Sequence, residues 1–253
     1  MAVVVIIPAR YGSTRFHAKL LQDLAGKPII QHVYERSLQA KADQVVVATD
    51  DQRIVDVVTS FSGKAILTDT THHSGTERIA EAIDILKLRD DDIVINVQGD
   101  EPMLHPELVD QIVDNLQKYP RFKMATLCER FTELADLQDP NKVKVIFNHD
   151  GSARYFSRSV IPFARDHFRE NPEVMPDDID YYLHLGIYAY RASFVKRYVT
   201  WPQAPWEKVE ALEQLRVLWN DELIHVAEAC QKIGPGIDTQ EDLERVRQAW
   251  RFA

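Results

Sequence analysis

The sequence predicts an α/β protein of three layers, with helices on both faces of a mixed, mostly parallel sheet. Two observations carry this prediction. Short runs of β-branched residues alternate with amphipathic stretches, an order that is typical of βα units. The run VVVIIP at residues 3–8 lacks the polar alternation of a half-exposed strand, which indicates a strand buried on both faces. Because successive βα units cross over with a right hand, a mostly parallel sheet follows.

The first part of the chain contains four βα units. Strands are predicted at residues 3–8, 44–49, 63–67 and 92–97, and helices at residues 28–39, 51–60, 76–87 and 106–118. After Lys118 strands dominate, at residues 122–127, 143–147, 153–156 and 183–190, with a hairpin turn at 148–151 and a polar loop at 165–181. The chain then returns to a helix at 205–219, a strand at 223–227 and a helix at 239–251. We interpret residues 1–253 as one domain with an inserted β-rich region at about 123–200.

The composition excludes several classes of protein. Lys plus Arg total 30 and Asp plus Glu total 39, so the net charge is −9, which argues against a broad nucleic-acid-binding surface. The longest uncharged apolar run, at residues 2–9, is far shorter than the roughly 20 residues of a membrane span. The two cysteines, Cys128 and Cys230, form no CxxC pair, so a disulfide scaffold is excluded and a reducing cytoplasm is expected.

The loop after the first strand is rich in cations. In an open parallel sheet, ligands bind beyond the carboxyl ends of the strands, so residues in these positions are candidates for the site. The loop offers Arg10, Arg15 and Lys19 together with the hydroxyl groups of Ser13 and Thr14, a set that suits a polyphosphate. The spacing matches neither the GxxxxGK[ST] loop nor the GxGxxG loop. A solvated basic loop is the alternative interpretation.

Two adjacent acids, Asp100 and Glu101, follow the fourth strand on a tight turn. Mg²⁺ takes one or two carboxylates together with the phosphate oxygens of a substrate, so this turn suits a magnesium ion. The alternative is a favourable charge pattern ahead of the next helix. The acidic run at residues 90–92 precedes the same strand, at the opposite edge of the sheet, and is expected to be a solvated loop.

Two further turns carry polar groups next to a predicted helix. SGTER at residues 74–78 opens the helix after the third strand, where Ser74 or Thr76 can act as the N-cap and backbone N–H groups can bind a ligand. Asp238 stands on a Gly-Pro-Gly turn before the last helix, either as a ligand or, with Thr239, as a cap. Together, a cationic loop, a carboxylate pair and a remote carboxylate predict magnesium-dependent phosphoryl or nucleotidyl transfer.

A series of motifs along nearly the whole chain resembles one family, the cytidylyltransferases that activate 3-deoxy-manno-octulosonate (Kdo). They are IPARYGSTR, VATDD, SGTER, NVQGDEP, MATL, VKVIF, YFSRSVIPF, HLGIYAYR, LEQLRVLW and GIDTQEDLERVR. The resemblance implies a fold like that of the nucleotide-diphospho-sugar transferases. It also implies a Mg²⁺-dependent transfer of CMP from CTP to the anomeric hydroxyl of Kdo, with release of pyrophosphate, for lipopolysaccharide synthesis. A cytoplasmic homodimer is implied as well, and Tyr155, Phe156 and Phe163 of the inserted region can supply its apolar contact.

The resemblance implies roles for the residues that match these motifs. On the nucleotide side it implies Ala9, Arg10, Ser13, Arg15, Lys19, Ser74, Gly75 and Arg78. On the sugar-acid side it implies Gln98, Arg158, His184, Tyr188 and Glu213. Asp100 and Asp238 would hold Mg²⁺, and Arg15, Lys19 and Asp100 would act directly in catalysis.

The sequence departs from the family around the phosphate-binding lysine, where the family reads LPGKPL. Here the run is Phe16-His-Ala-Lys-Leu-Leu21, so the Pro and Gly before Lys19 and the Pro after it are absent. Because Ala18 enters positive-φ conformations less easily than glycine, we expect a loop of different shape. A variant substrate, such as the 8-amino analogue of Kdo, is a second interpretation of this departure.

Two other hypotheses belong to different classes of protein. A nucleotidyltransferase for sialic acid or a sugar 1-phosphate is disfavoured by Arg158, His184 and Tyr188, because a sugar phosphate would need further cations there. A non-catalytic nucleotide-binding relative is disfavoured because the charged positions of the proposed phosphate and metal sites are all filled. The sequence therefore favours a cytidylyltransferase for a sugar acid.

Overall fold

The computed structural model describes residues 1–12 and 16–250, and the chain forms two compact units. The first unit consists of Met1–Asp114, Ile187–Val199 and Cys230–Ala253. The second unit consists of Asn115–Gly186 and Thr200–Ala229. Neither unit is one continuous stretch of chain, because the chain returns to each unit after leaving it.

The first part of the chain alternates strands and helices. In chain order the elements are β1 (Val3–Ala9), β2 (Asp23–Leu24), β3 (Lys27–Pro28), α1 (Ile29–Ser37), β4 (Gln44–Thr49), α2 (Gln52–Ser60), β5 (Ala65–Leu67), α3 (Gly75–Ile85), β6 (Ile93–Asn96) and α4 (Pro106–Lys118). These elements confirm the four predicted βα units. The small hairpin of β2 and β3 was not predicted, because strands this short leave no period in the sequence.

The second part of the chain is richer in short elements. They are β7 (Met124–Arg130), α5 (Leu134–Gln138), β8 (Lys144–Phe147), β9 (Ala153–Ser157), α6 (Arg165–Glu170), β10 (Tyr182–Arg191), α7 (Ala192–Tyr198), α8 (Pro205–Glu210), α9 (Leu215–Trp219), β11 (Ile224–Glu228) and α10 (Gln240–Trp250). The single helix predicted at residues 205–219 is wrong. Ala211 takes a left-handed conformation with φ of 50°, which ends α8 before α9 begins.

The sheet of the first unit is mostly parallel, as predicted. β1 lies between β4 and β6 and runs parallel to both, and β5 continues the parallel order beyond β4. The last residues of β10 pair with β6 in the antiparallel sense. Val5, Ile6 and Ile7 of the central strand are fully buried, which explains the unbroken apolar run. The parallel strands end at one edge of this sheet, so the loops that follow them are neighbours.

The helices of the first unit pack in two groups. α1 packs against β4, and its His32 ring meets Trp250 of α10 at a centroid distance of 4.5 Å. α3 packs against β1 and β4 and also against α7. An apolar cluster joins Leu24, Ile29 and Ile237 to the inward face of α10. Among residues 1–12 and 16–250, no helix is both long and apolar enough to cross a membrane.

The second unit pairs its strands in two ways. β7 and β11 run parallel, while β8 is antiparallel to β9 and to the first residues of β10. A buried ion pair joins the two helices that follow Thr200: Glu207 of α8 accepts hydrogen bonds from Arg216 of α9 at 2.5 and 2.8 Å. Such a pair stabilises a fold only while both partners are present, because either charge alone would be buried without compensation.

Two sequence expectations about surface residues are wrong. Asp92 is buried rather than part of a solvated acidic loop, since its carboxylate accepts from the backbone N–H of Ala2 at 2.6 Å and from Arg89. Burial opposes its ionisation, but these hydrogen bonds outweigh burial and lower the pKa of Asp92 to about 2. Phe156 is fully buried and meets the ring of His184 edge-on, so it cannot contribute to a contact surface of a dimer.

His225 on β11 is a buried histidine of the second unit. It is buried, it stacks on Tyr119 at 4.8 Å, and its Nδ1 has no hydrogen-bond partner in the described part of the chain. Gly151 lies against it with φ of +80°, and a Cβ at this position would come within 2.8 Å of the imidazole Nε2. Burial, with help from the nearby Arg121 and Lys118, lowers the pKa of His225 to about 4, while Asp150 opposes this shift.

This shift predicts a pH-dependent loss of stability. The folded state keeps His225 neutral down to about pH 4, whereas an unfolded histidine takes up a proton below about pH 6.5. The contribution of neutral His225 to the free energy of unfolding is therefore full above about pH 6.5 and is lost as the pH falls from about 6.5 to 4. We expect His225→Gln to lower the free energy of unfolding at pH 7.5 but to flatten its decline towards pH 5, as measured by urea unfolding. Parallel declines for the parent protein and the variant would contradict the assignment.

Candidate active site

Three charged side chains meet in the first unit. The Lys19 Nζ donates to Asp100 Oδ2 at 2.6 Å and to Asp238 Oδ1 at 3.0 Å. Lys19 begins a single 3-10 turn after the loop that follows β1, and Asp100 belongs to the turn after β6. The lysine is buried, whereas Asp238 is exposed. The structure thus brings together the lysine and both carboxylates that the sequence nominated from three separate segments.

The main chain holds Asp238 near Asp100. The backbone N–H of Ile237 donates to the carbonyl oxygen of Asp100 at 2.9 Å, and the Ile237 side chain is buried in the apolar cluster with α10. Thr239 caps α10, because its Oγ1 accepts from the N–H of Asp242 and the Asp242 carboxylate accepts from the N–H of Thr239. This capping box leaves the Asp238 carboxylate available to Lys19.

The electrostatics of this cluster favour a protonated lysine. Burial opposes the charge on Lys19, but the charges and hydrogen bonds of Asp100 and Asp238 outweigh it and raise the pKa of the lysine. Burial and the neighbouring Asp100 raise the pKa of Glu101 to about 8, so Glu101 is mostly protonated at neutral pH. Asp100 is therefore the acid of the predicted pair that supplies a carboxylate to the cluster.

The donor set fits a divalent ion that is completed by its substrate. Two carboxylates converge on one cation, and Mg²⁺ typically takes one or two carboxylates together with phosphate oxygens. Within residues 1–12 and 16–250, no group of three or more His, Cys, Asp or Glu side chains could hold a metal. Two carboxylates would supply part of a coordination shell, and phosphate oxygens of a substrate would supply further ligands.

Further predicted residues stand at the carboxyl ends of the parallel strands. Ala9 ends β1, and Arg10 follows it, exposed and without a hydrogen bond or ion pair to any other described residue. Ser74 is the N-cap of α3, where its Oγ accepts from the N–H of Glu77 at 3.2 Å. Gly75 begins this helix, and a Cβ at this position would lie 3.4 Å from the Pro8 side chain. The capping role proposed for Ser74 is thus confirmed. The first turn of α3 begins at the edge where the parallel strands end.

Arg78 is held inside the first unit by two residues that the sequence analysis did not single out. Its Nη2 donates to Asp50 Oδ2 at 2.7 Å, and its Nη1 donates to Thr68 Oγ1 at 2.5 Å. Asp50 lies in the motif VATDD directly after β4, so its position at a strand end was the available signal. The guanidinium of Arg78 ties α3 to the loops after β4 and β5, and any contact with a ligand would use its remaining N–H groups.

The departure from the family pattern is accommodated by side-chain packing. Ala18 adopts the left-handed conformation, with φ of 48° and ψ of 33°. Phe16 packs against the apolar cluster around Ile237, and the ring of His17 meets that of Tyr11 edge-on at 5.0 Å. The predicted site residues Ser13 and Arg15 lie outside the described residues. The φ of 48° at Ala18 lies in the left-handed region, which glycine adopts most easily.

The predicted sugar-side residues are divided between the two units. Gln98 follows β6, and Tyr188 on β10 stacks on Tyr190 at 5.7 Å, and these residues belong to the first unit. The second unit contains three of the predicted residues, which are Arg158, His184 and Glu213.

Within the second unit, two of these side chains are firmly held. The Nε2 of His184 lies 3.0 Å from Thr126 Oγ1, and burial lowers the pKa of His184 to about 3, so this ring is neutral at physiological pH. Arg158 is fixed by main-chain carbonyls and by Glu210, a residue that the sequence did not single out. Glu213 is exposed, after the break between α8 and α9.

Comparison with known proteins places this geometry in a family. A model of the cytidylyltransferase family matches residues 4–224. The 3-deoxy-manno-octulosonate cytidylyltransferase of Hahella chejuensis is 50% identical over 246 residues, which cover 97% of this chain and 96% of that protein. The 3-deoxy-manno-octulosonate cytidylyltransferase 2 of Actinobacillus pleuropneumoniae is 49% identical, with 98% of each chain covered. This chain belongs to the 3-deoxy-manno-octulosonate cytidylyltransferase family.

Solved structures support the same assignment. A CMP:2-keto-3-deoxy-manno-octonic acid synthetase, solved in complex with CTP, matches with a TM-score of 0.90 and 42% identity, and the match covers 100% of this chain and 99% of that one. A cytidylyltransferase from Leptospira borgpetersenii, at 17% identity and a TM-score of 0.65, shares the fold. The predicted fold class is confirmed. As a member of the 3-deoxy-manno-octulosonate cytidylyltransferase family, the chain is a nucleotidyltransferase.

The conformation of Ala18 generates a stability prediction. A left-handed alanine costs about 1–2 kcal/mol, which glycine avoids, although glycine also makes the unfolded chain more flexible. We expect Ala18→Gly to leave the free energy of unfolding unchanged or to raise it by up to about 1 kcal/mol. The matched control is Ala135→Gly in the exposed part of α5, which should lower it by about 1 kcal/mol. Urea unfolding measures both variants, and equal losses would show that position 18 does not need a positive φ.

Proposed function

We propose that the first unit binds the triphosphate of CTP around Lys19, and that the chain uses it to transfer CMP to the anomeric hydroxyl of Kdo. The convergence of Lys19 with Asp100 and Asp238 at the strand ends carries this proposal. Family membership supports the reaction, since the relatives are named for it. Lipopolysaccharide synthesis in the cytoplasm is the process we propose for it.

The nucleotide side combines cations with the N–H groups at the start of α3. Arg10 is unpaired within the described residues and points its charge into solvent beyond β1, where an anion can reach it. Ser74 and Gly75 start α3, whose first N–H groups favour a negative group. Lys19 adds a protonated ammonium. Arg15 and Ser13, in the same loop, complete the triphosphate contacts that we propose.

Asp100 and Asp238 are the residues that we propose to hold Mg²⁺. They are the two carboxylates of the cluster, and they would share the ion with phosphate oxygens of CTP. When bound, the ion would polarise the α-phosphate and lower the pKa of the attacking hydroxyl. Because the Lys19 ammonium contacts both carboxylates, it would give up part of these contacts to a bound ion and would turn to the phosphates instead.

The chain itself supplies positioning and charge for the transfer. The anomeric hydroxyl attacks the α-phosphorus of CTP, the bond to the β-phosphate oxygen breaks, and pyrophosphate leaves with the electron pair. Lys19, with Arg15, neutralises the charge that develops on the pyrophosphate. No covalent bond to the protein is required. Holding both substrates in line is the main work of the site.

The residues proposed for the sugar acid lie in motifs that resemble those of the family. We propose that Gln98, Arg158, His184, Tyr188 and Glu213 contact Kdo. His184 is neutral and held by Thr126, which suits a hydrogen bond to a hydroxyl rather than to a carboxylate. Arg158 is the cation of this set and suits the carboxylate of the sugar acid. An 8-amino analogue of Kdo is the alternative substrate that the departure at residues 16–18 keeps open.

Release of pyrophosphate tests the proposed reaction. The protein mixed with CTP, Kdo and Mg²⁺ should release pyrophosphate, and omission of any one component should abolish release. We expect Asp100→Asn and Lys19→Met each to lower turnover by about a hundredfold or more, because each removes a charge that acts on the phosphates. The matched control is Asp91→Asn, which should retain the parent rate. It removes an exposed carboxylate that precedes β6, whereas Asp100 follows this strand.

Three outcomes would count against parts of this proposal. Release with another sugar acid but not with Kdo would show that the substrate is wrong. No release with any sugar acid, despite binding of CTP, would favour a non-catalytic nucleotide-binding protein. A rate for Asp100→Asn within about threefold of the parent protein would show that the metal assignment is wrong.

We also propose that the chain forms a homodimer through the inserted β-rich region at residues 123–200 and its surroundings. Phe163 is 66% exposed, and Trp206 and Trp219, which meet at 4.9 Å, are each nearly half exposed. Tyr155 lies next to Trp206. Exposed aromatic groups of this kind are typical of contact surfaces. Sedimentation velocity should show a dimer, and Phe163→Asp should shift it towards the monomer; a monomeric parent protein would overturn the proposal.

A further inference from the structure

The Glu210 carboxylate, at the end of α8, is the centre of a hydrogen-bond network around Arg158. Its Oε1 accepts from Ser157 Oγ at 2.6 Å, and its Oε2 accepts from the backbone N–H of Arg158 at 2.9 Å. The carbonyl oxygen of Glu210 accepts from the Nε of Arg158 at 2.6 Å. One glutamate therefore binds both the main chain and the side chain of the arginine.

The guanidinium of Arg158 is oriented by three main-chain carbonyls. Besides Glu210, its Nη1 donates to Pro140 O at 2.9 Å and its Nη2 donates to Ala211 O at 3.4 Å. A guanidinium carries five N–H groups, so the bonds to described residues leave two of them, one on each terminal nitrogen. Two N–H groups in this arrangement can bind both oxygens of a carboxylate.

The network stands on rigid supports within the second unit. The buried pair of Glu207 and Arg216 holds α8, with side chains that are 3% and 12% exposed. Lys144, which is opposite Ser157 in the strand pair of β8 and β9, is fully buried and donates to two main-chain carbonyls. Burial lowers the pKa of Lys144; the charge of Arg158 adds to this effect, whereas the carboxylate of Glu210 opposes it.

We propose that Glu210 is a positioning residue for the sugar acid. Its carboxylate fixes the main chain at Arg158 and its carbonyl oxygen holds the Nε, so that the two remaining N–H groups of the guanidinium face the substrate carboxylate. The proposal rests on the function proposed above. Replacement of Glu210 by glutamine places an amide N–H₂ where the carboxylate accepted from Ser157 and from the backbone of Arg158. It also removes the negative charge that offsets the repulsion between Arg158 and Lys144.

A double-mutant cycle in the pyrophosphate-release assay tests this role. We expect Glu210→Gln to raise KM for Kdo about tenfold or more while KM for CTP stays within about twofold. Arg158→Lys removes the fork that Glu210 positions and should raise KM for Kdo at least as much. In the double variant, Glu210→Gln should add little to the effect of Arg158→Lys, because residues that act through one another are not additive.

The controls separate this role from a loss of folding. Glu173→Gln removes an exposed carboxylate of the same unit and should leave both KM values unchanged. Urea unfolding is measured for each variant. If Glu210→Gln loses cooperative unfolding, Ser157→Ala takes its place in the cycle, because it removes the hydroxyl contact to Oε1 and keeps the Glu210 carboxylate, although it also removes the hydrogen bond that this hydroxyl accepts from the backbone N–H of Ser159. The same lack of additivity is then expected.

The outcomes also separate this proposal from the proposed function. No release of pyrophosphate by the parent protein with Kdo would overturn the function before any variant is made. With an active parent protein, an unchanged KM for Kdo in Glu210→Gln would overturn the positioning role. Effects of Glu210→Gln and Arg158→Lys that multiply would overturn it as well, since the two residues would then act independently.

Discussion

The ion pairs between Lys19 and the carboxylates of Asp100 and Asp238 are the interaction on which the first unit's site depends. Two carboxylates held this close together would repel each other without a cation, and a buried ammonium would be unstable without an acid. The main-chain hydrogen bond from Ile237 to Asp100 fixes the distance between the two acidic segments. The same geometry explains how two anionic side chains can lie close together, since both carboxylates face the one ammonium of Lys19.

The chain as a whole carries a negative net charge, whereas the residues proposed to bind the nucleotide include several cations. The net charge of the chain is −9, while the arginines and the lysine that we propose for the nucleotide would meet anions locally. Much of the local cationic charge is already paired, as in Arg78 with Asp50 and Lys19 with its two acids. Arg78 is held by two hydrogen bonds and is therefore oriented without a ligand, whereas Lys19 would exchange part of its contacts with the two acids for phosphate oxygens.

The sequence predicted the fold and the segments of the site better than it predicted their contacts. The period of apolar residues and the position of polar loops after strands located Lys19 and Asp100, because parallel strands end at one edge, and the Gly-Pro-Gly turn before the last helix located Asp238. The break of the helix at Ala211, the burial of Asp92 and the burial of Phe156 could not be predicted. Each depends on tertiary neighbours, such as the backbone of Ala2 for Asp92, and local sequence carries no record of them. Glu210 was missed for the same reason, since its partners come from distant parts of the chain.

Phe16 and Ile237 belong to the apolar cluster that also receives Leu243 and Val246 of the last helix. Phe16 leads into the loop of Lys19, and Ile237 is the neighbour of Asp238, so both sides of the ion pair are anchored in this one cluster. The ion pairs of Lys19 are consequently stable only while α10 stays packed against this cluster. If this last helix frayed, Lys19 and Asp238 would lose their shared support together, while the strands of the central sheet stayed paired. Loss of activity on heating would then begin with the undocking of α10, before the core melts.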